Sequence, residues 1–352
     1  MLKKMISVFL SLTMVLSLAA CGGGKAPSGS SAFGTSADPG ASSGKAVTLK
    51  LCHTDPSGCA TTDALQEFAK RVTEASGGRL VVEEYADGIM GDDDEINEQI
   101  FNGAYMINYS DPALLEPYYP DYSILFSPYF FESYDEIAKL ADTDFGKRLQ
   151  QECREAGLMV LDGMRGYYGS RQIMSNVPIK TPADLKGLDF RVPNNATQIE
   201  MAEAWGANPV TISFSETYSA LQQGVVDCVE NPIGALYANS IHEVCKYINI
   251  TNHFYAVNGL VMNTKVFESL DKDLQQLLLD EAADFAVYNT KMVVDEEDEK
   301  LAAMTEETGC IVNRDVDVEA MKQAAQKVFE VHGWSQELID EANAALAEIR
   351  GQ

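Results

Sequence analysis

One arginine inside an apolar run is the residue with the clearest capacity for chemistry in this sequence. Arg191 lies in residues 188–193, whose apolar residues and final proline predict a buried strand that ends in a turn. A buried guanidinium without an anionic partner costs several kcal/mol, roughly, so Arg191 requires an anion close to it. Either another part of the chain or a bound ligand supplies that anion, and the two cases imply different functions.

Length and charge limit the classes of partner. The chain has 352 residues and a net charge of −27, with 46% hydrophobic residues. This length suffices for two domains or one large domain with a sizeable core. The charge argues against nucleic acid and anionic membranes as partners, because both require a basic face. It does not argue against a small anionic ligand, because salt screens remote charges within about 8 Å.

The cysteines and glycines give no sign of a cofactor. The chain has seven cysteines and four histidines, with no CxxC pair. Cys52 and Cys59 could close a small loop and Cys228 and Cys245 could meet across strands, but free, partly buried thiols are the favoured interpretation. No phosphate-binding glycine pattern occurs at a strand-to-helix turn. We therefore expect neither a metal nor a nucleotide cofactor.

The first 45 residues predict an export signal and a tether. Lys3 and Lys4 precede an apolar stretch, residues 5–18, and the segment ends Leu18-Ala19-Ala20-Cys21. This combination predicts a lipoprotein signal peptide over residues 1–20 and a lipidated Cys21, with an ordinary secretory signal as the alternative. Residues 21–45 are rich in glycine, serine and alanine and predict a flexible tether.

The elements that must position Arg191 begin near Ala46. Strands predicted at 47–51, 80–85 and 104–109 alternate with helices predicted at 61–75 and 92–102. Three aspartates in the first turn of the second helix suit its positive end. This alternation predicts a mostly parallel α/β sheet with right-handed crossovers.

Later segments predict a connection between two lobes. Residues 163–176 form a glycine-rich strand with two tyrosines and two arginines, a candidate crossing between lobes. Residues 271–308 contain no internal glycine or proline and predict one long helix that braces both lobes. Its cluster at 295–299 is interpreted as a solvated face. The aromatic residues of 118–134 are interpreted as core, with one or two rings lining a cleft as the alternative. Further predicted elements are helices at 133–141, 144–156, 318–331 and 335–349 and strands at 158–161 and 254–263.

Several ordered blocks around Arg191 resemble one known family. They are Lys180-Thr181-Pro182-Ala183-Asp184-Leu185-Lys186-Gly187-Leu188, Phe190-Arg191-Val192-Pro193, Trp205-Gly206-Ala207-Asn208-Pro209, Phe214-Ser215-Glu216-Thr217-Tyr218 and Glu230-Asn231-Pro232. Together they are similar to the core signature of the solute-binding proteins of tripartite ATP-independent periplasmic (TRAP) transporters. Weaker similarity extends over most of residues 46–350.

The resemblance implies a fold and a division of the chain. Such proteins are α/β, two-lobed clamshells of the periplasmic-binding-protein type, with crossing strands and a long bracing helix. Lobe I is expected to comprise residues 46–168 and 257–296, and lobe II residues 169–256 and 297–352. The resemblance further implies that the closed lobes trap a small organic acid and deliver it to membrane permease subunits.

The resemblance also assigns ligand-binding residues. Arg191 matches the principal carboxylate-binding arginine, Arg171 matches a second arginine found in sugar-acid and sialic-acid binders, and Asn231 matches an asparagine that hydrogen-bonds the ligand. A guanidinium offers a planar fork that suits a carboxylate. The alternatives are an internal salt bridge for either arginine and a turn-forming role for Asn231 before a proline.

Three further residues complete the predicted site. Phe214 and Asn194 match residues that line the family's pocket, and Tyr168 is placed with them; core packing is the open alternative for Phe214 and Tyr168. The sequence departs from the family at Cys228, where many members have glycine. In lobe I the asparagine and arginine contacts of sialic-acid binders are not evident. The residues that would identify the far end of the ligand are therefore not recognisable.

These observations predict an extracytoplasmic, lipid-anchored, monomeric solute-binding protein without a cofactor. A sugar acid is slightly favoured over a C4-dicarboxylate as the ligand. The alternatives are a receptor that feeds a sensor kinase and a secreted enzyme acting on a carboxylate. The chain shows no nucleophile elbow and no metal-ligand cluster, so we do not expect an enzyme.

Overall fold

The computed structural model describes residues 46–352. The predicted signal peptide, Cys21 and the tether lie outside the described residues. Within the described part, no helix has the length and apolarity that crossing a membrane requires.

One mixed sheet runs through the described part of the chain. Its strands are β1 (Val47–Cys52), β2 (Leu80–Tyr85), β3 (Met106–Ser110), β4 (Leu158–Val160), β5 (Gly166–Ser175), β6 (Asp189–Val192), β7 (Asn208–Thr211), β8 (Cys228–Pro232), β9 (Tyr247–Asn249), β10 (Tyr255–Asn263) and β11 (Ile311–Asn313). The main path has the order β2-β1-β3-β10-β5-β8-β6-β7. Strand β4 pairs with β10, β9 with β5, and β11 with β9.

Helices cover this sheet. They are α1 (Ala60–Ala75), α2 (Asp93–Phe101), α3 (Asp135–Asp142), α4 (Asp144–Ala156), α5 (Ala196–Ala204), α6 (Thr217–Gln223), α7 (Ile233–Ala238), α8 (Thr264–Ser269), α9 (Lys272–Thr308), α10 (Val318–Ala325), α11 (Lys327–Val331) and α12 (Gln336–Arg350). The alternation of strands and helices confirms the predicted α/β class.

The prediction of a mostly parallel sheet is wrong for the middle of the sheet. Strand β1 is parallel to β2 and β3, and β6 is parallel to β7 and β8. The two long central strands reverse this direction: β10 is antiparallel to β3 and β5, and β5 is antiparallel to β8. Each half therefore has the predicted parallel arrangement, and the antiparallel pair β5–β10 joins the halves as crossing strands.

The long helix α9 packs against both halves of the sheet. It spans 37 residues and contacts α1, β5 and α7. Residues 295–299 were predicted to be a solvated face, which is wrong for two of them. Glu296 accepts a hydrogen bond from Ala60 N at 3.0 Å, and Glu297 accepts one from Ser170 N at 2.7 Å. These carboxylates satisfy backbone donors at the start of α1 and in β5.

The C-terminal segment also differs from its prediction. The single helix predicted at 318–331 is two helices, α10 and α11, which meet at Gln326. Helix α12 packs against α3 and α4, which the predicted division places in lobe I, although that division assigns residues 297–352 to lobe II. The residue boundaries of the two lobes stay a prediction.

The described cysteines are free, as predicted. Cys52, Cys59, Cys153, Cys228, Cys245 and Cys310 are all buried and form no disulfide. Burial raises the pKa of the Cys59 thiol to about 12, which makes this thiol unreactive at neutral pH.

Candidate ligand-binding cleft

A cavity of about 450 Å³ lies between the two halves of the sheet. It opens where parallel strands end: Thr54 follows β1, Asp111 follows β3, Asn194 follows β6, and Asn231 lies in the last part of β8. Ligands of α/β proteins commonly bind at the carboxyl ends of strands. The side chains that line the cavity include Thr54, Asp55, Asp93, Asp111, Tyr168, Arg171, Arg191, Asn194, Phe214, Asn231 and Asn258.

Arg191 extends from β6 into the cavity, and its guanidinium forms no ion pair with the described residues. Its side chain is 3% exposed, its Nε donates to Ile212 O at 2.8 Å, and its guanidinium lies 5.3 Å from the centre of the Phe214 ring. Among the described residues no carboxylate lies within ion-pair distance of it. Burial lowers the pKa of Arg191 to about 10, so it remains a cation at neutral pH.

Arg171 also lines the cavity, but the protein neutralises it. Its Nε donates to Glu230 Oε2 at 2.5 Å and its Nη2 donates to Oε1 at 2.7 Å. Glu230 also accepts from Gln198 Nε2 at 2.6 Å and lies 3.0 Å from His253 Nε2. Burial alone would raise the pKa of Glu230, but Arg171 and His253 outweigh burial and hold it at about 2. The internal salt bridge considered for both arginines therefore exists for Arg171.

The four other predicted site residues line the same cavity. Asn231 is 4% exposed, and its Oδ1 has no hydrogen-bond partner among the described residues. Phe214 lies beside Arg191. The hydroxyl of Tyr168 donates to Asp55 Oδ1 at 2.5 Å. The structure thus brings all six predicted residues of the described chain to one cavity.

Two hydrogen bonds cross the cleft at the first turn of α2. Asn194 Nδ2 donates to Asp94 Oδ2 at 2.8 Å, and Ser213 Oγ donates to Asp92 Oδ1 at 2.8 Å. Asn194 and Ser213 follow β6 and β7, in the other half of the sheet. These contacts hold the two halves together over the cavity.

Sequence reasoning missed the acidic residues of the cavity. Asp55 lies three residues after the end of β1, Asp93 begins α2, and Asp111 comes directly after β3. Burial raises the pKa of Asp93 to about 7 and that of Asp111 to about 6. Their positions after predicted strands are a signal that was available, but the aspartates of α2 were interpreted only as favourable charges at a helix end.

This arrangement is typical of proteins that bind a small anionic ligand in a cleft. The described residues form a cavity between two joined halves, in which a buried guanidinium without an ion-pair partner lies near an amide, and this combination suits a small anion. Among residues 46–352, no group of three metal-ligating side chains is close enough to hold a metal ion.

Comparisons with known proteins identify the family. Residues 51–333 match the family described as bacterial extracellular solute-binding protein, family 7. The chain belongs to this family, which includes the solute-binding proteins of TRAP transporters, and the predicted resemblance is confirmed. Its place is accordingly outside the cytoplasm.

Curated relatives and solved structures agree with this assignment. The 2,3-diketo-L-gulonate-binding periplasmic protein YiaO of Escherichia coli is 29% identical over 265 residues, which cover 74% of this chain and 79% of YiaO. The C4-dicarboxylate-binding periplasmic protein DctP of Vibrio cholerae is 31% identical over 58% of this chain and 61% of its own length. A TRAP periplasmic solute-binding protein from Ochrobacterium anthropi with bound L-fuconate is 32% identical, has a TM-score of 0.81, and aligns with 86% of this chain and 100% of that chain.

Proposed function

We propose that this protein captures a small organic acid in the cleft, closes its lobes on it, and delivers it to the membrane subunits of a TRAP-type transporter. The observation that carries the proposal is Arg191, a buried cation that faces the cavity without an anionic partner among the described residues. A ligand carboxylate supplies the anion that this guanidinium requires. The L-fuconate bound to the similar Ochrobacterium anthropi protein is a ligand of this chemical type.

The proposed roles follow from the contacts of each residue. Arg191 presents its two terminal nitrogens to the carboxylate, because Nε already donates to Ile212 O. Asn231 lines the same cavity and supplies an amide. Phe214 supports the guanidinium through its ring face. That Arg171 is a second ligand of the carboxylate stays a prediction. Its Nε and Nη2 already donate to Glu230, so Nη1 is the nitrogen that could contact a ligand.

Binding without turnover is part of the proposal. The buried carboxylates of the cavity accept hydrogen bonds from fixed protein donors, such as Thr54 Oγ1 to Asp93 and Tyr168 OH to Asp55. No serine or cysteine beside a histidine base lines the cavity among the described residues. A hydroxylated monocarboxylate, as in sugar acids, is the ligand class that we favour.

A thermal-shift screen against organic acids tests the proposed function. The screen uses the mature chain with Cys21→Ser, which cannot carry the lipid. A ligand at 100 times its dissociation constant adds about 2.7 kcal/mol to the free energy of unfolding. We expect stabilisation by sugar acids, its loss in Arg191→Ala, and strong weakening in Arg191→Lys, because an ammonium does not reproduce the fork.

The control for this screen is Arg314→Ala, which removes an exposed arginine outside the cavity and leaves binding unchanged. Stabilisation by neutral sugars alone, or near-native affinity of Arg191→Lys, would show that Arg191 has a structural role instead.

We further propose that Cys21 carries the lipid that anchors the protein to the outer face of a bacterial membrane. The motif Leu18-Ala19-Ala20-Cys21 supports this. We expect the wild-type protein in the membrane fraction of expressing bacteria and the Cys21→Ser variant in the soluble extracytoplasmic fraction. Equal membrane association of both forms would contradict the anchor.

A further inference from the structure

One wall of the cavity is acidic, and we name it the acidic wall: Thr54, Asp55, Asp93, Asp111 and Asn258. Its carboxylates come from three separate elements, after β1, at the start of α2 and after β3. The two cations that line the cavity within residues 46–352 are Arg171 and Arg191, and Glu230 already neutralises Arg171. The cavity therefore combines one free positive group with several carboxylates.

Buried acceptor atoms on this wall have no donor from the described residues. Asp93 Oδ2 accepts from Thr54 Oγ1 at 2.6 Å, while Asp93 Oδ1 is buried and has no partner. Asn258 is 7% exposed and its Oδ1 is likewise unpartnered. Because Gly259 pairs with Ser110 in the antiparallel register, Asn258 lies beside Asp111 across the strands. An unpaired buried acceptor is unfavourable, so a donor on a bound ligand would stabilise both oxygens.

The hydroxyl and the backbone N–H that lie nearest to Asp55 and Asp111 are already committed. Tyr168 OH donates to Asp55, and Leu114 N donates to Asp111 Oδ1 at 3.1 Å. An ionised carboxylate can only accept hydrogen bonds, so a second anion placed beside these carboxylates meets electrostatic repulsion. A hydroxyl or an ammonium group meets acceptors that fit it.

We propose that the acidic wall is a donor-selecting subsite, which takes the end of the ligand remote from its carboxylate when that end carries hydroxyl or ammonium hydrogens, and excludes a second carboxylate or phosphate. The inference rests on the proposed function, in which Arg191 binds the first carboxylate. The subsite discriminates strongly against a ligand with a second carboxylate or phosphate, because such a ligand leaves the buried acceptors unpaired and adds a negative charge beside the carboxylates. C4-dicarboxylates, after which the Vibrio cholerae relative is named, belong to the excluded class.

A matched set of ligands tests this subsite. Gluconate, glucarate and 6-amino-6-deoxygluconate share one carbon chain and differ at the far end, which carries a hydroxyl, a carboxylate or an ammonium group; the galactose-derived set varies the stereochemistry. Calorimetric titration of the mature Cys21→Ser chain is carried out at pH 8, where Asp93, with a pKa of about 7, is ionised.

We expect the hydroxyl or the ammonium member of a set to bind at least tenfold more tightly than the dicarboxylate of the same set. Which of the two binds more tightly identifies the donor. Asp93→Asn and Asp111→Asn reduce this ratio at least fivefold, because each removes a negative charge and keeps the shape of the side chain. Glu98→Gln is the matched control: it removes a charge from the exposed face of the same helix α2, outside the cavity, and leaves the ratio unchanged.

The outcomes separate the two proposals. A dicarboxylate that binds as tightly as its matched monocarboxylate overturns the subsite and leaves the proposed function intact. Binding of succinate or malate, when no monocarboxylate binds, has the same consequence. Unchanged ratios in both asparagine variants, with cooperative thermal unfolding retained, also overturn the subsite. Failure of every mono- and dicarboxylate to bind overturns both proposals.

Discussion

Two buried arginines face the same cleft and differ in what neutralises them. Arg191 donates one hydrogen bond to a backbone carbonyl, whereas Arg171 forms a two-pronged pair with Glu230. A buried ion pair gives little net stability, but removing one partner leaves a buried charge uncompensated. Substitution of the two arginines therefore affects different properties of the protein.

Arg171→Ala is expected to destabilise the fold. It leaves the Glu230 carboxylate buried beside His253 and lowers the free energy of unfolding by about 3–5 kcal/mol. Urea unfolding followed by circular dichroism measures this loss. Adding Glu230→Gln removes the stranded charge, so the double variant should be more stable than the sum of the single effects predicts. A loss below about 0.5 kcal/mol in Arg171→Ala would contradict the structural role.

Among the elements, α9 links the two halves of the sheet through polar contacts as well as apolar packing. Glu297 accepts hydrogen bonds from Ser170 N and from the Tyr167 hydroxyl at 2.8 Å, both in the crossing strand β5. Close by, Gly169 has a φ of 135°, and a Cβ there would lie 2.5 Å from Pro232 Cβ. The crossing strand is therefore fixed closely against β8 on one side and α9 on the other.

Replacing Glu297 tests this linkage. Glu297→Ala leaves the N–H of the buried Ser170 and the hydroxyl of the buried Tyr167 without their acceptor, which we expect to lower the free energy of unfolding by about 1–3 kcal/mol. Chemical denaturation measures the change. Asp298→Ala is the control, because the neighbouring carboxylate is exposed and should change stability by less than about 0.5 kcal/mol. Equal effects of the two substitutions would contradict a linking role for Glu297.

Local patterns predicted the elements better than their pairing. The helix predicted at 271–308 is observed as Lys272–Thr308, and the strand predicted at 80–85 as Leu80–Tyr85. Both depend on periodicity and end signals within the segment. The antiparallel pairing of β5 with β10 joins residues far apart in the chain, and no local pattern encodes it. The short strands β9 and β11 are defined by their pairing and were missed for the same reason.

The cavity residues likewise fall into a group that local sequence patterns predict and a group that only the folded structure reveals. The residues that we propose to bind the carboxylate lie in ordered blocks with a family signature, so Arg191 and Asn231 could be predicted from the sequence. Asp93 and Asn258 lie far apart in the chain, and only the folded sheet brings them to one wall. Their unpartnered oxygens are a property of three-dimensional packing. Residue types and spacing alone therefore leave the far end of the ligand unidentified.

For the whole molecule, the net charge of −27 and the buried acids make stability depend on pH. Burial raises the pKa of Asp93 to about 7 and of Asp111 to about 6. A carboxyl whose pKa is higher in the folded state than in the unfolded chain binds its proton more tightly when folded. Its stabilising effect is greatest below the unfolded value near 4 and is lost as the pH rises through the folded value.

The Asp93→Asn, Asp111→Asn double variant is therefore expected to gain stability relative to the wild type as the pH rises from about 4 to about 8. The asparagines cannot ionise, so at pH 8 the variant avoids the cost of two buried carboxylates, together about 1–3 kcal/mol after solvent screening. Thermal unfolding of the ligand-free protein across this range measures the difference. Glu230, whose pKa is held at about 2 in the folded protein, is present in both proteins, so its own pH dependence cancels from the difference between them. Parallel stability curves for the variant and the wild type would show that these two carboxyls have ordinary pKa values, and the acidic wall would then be solvated rather than buried.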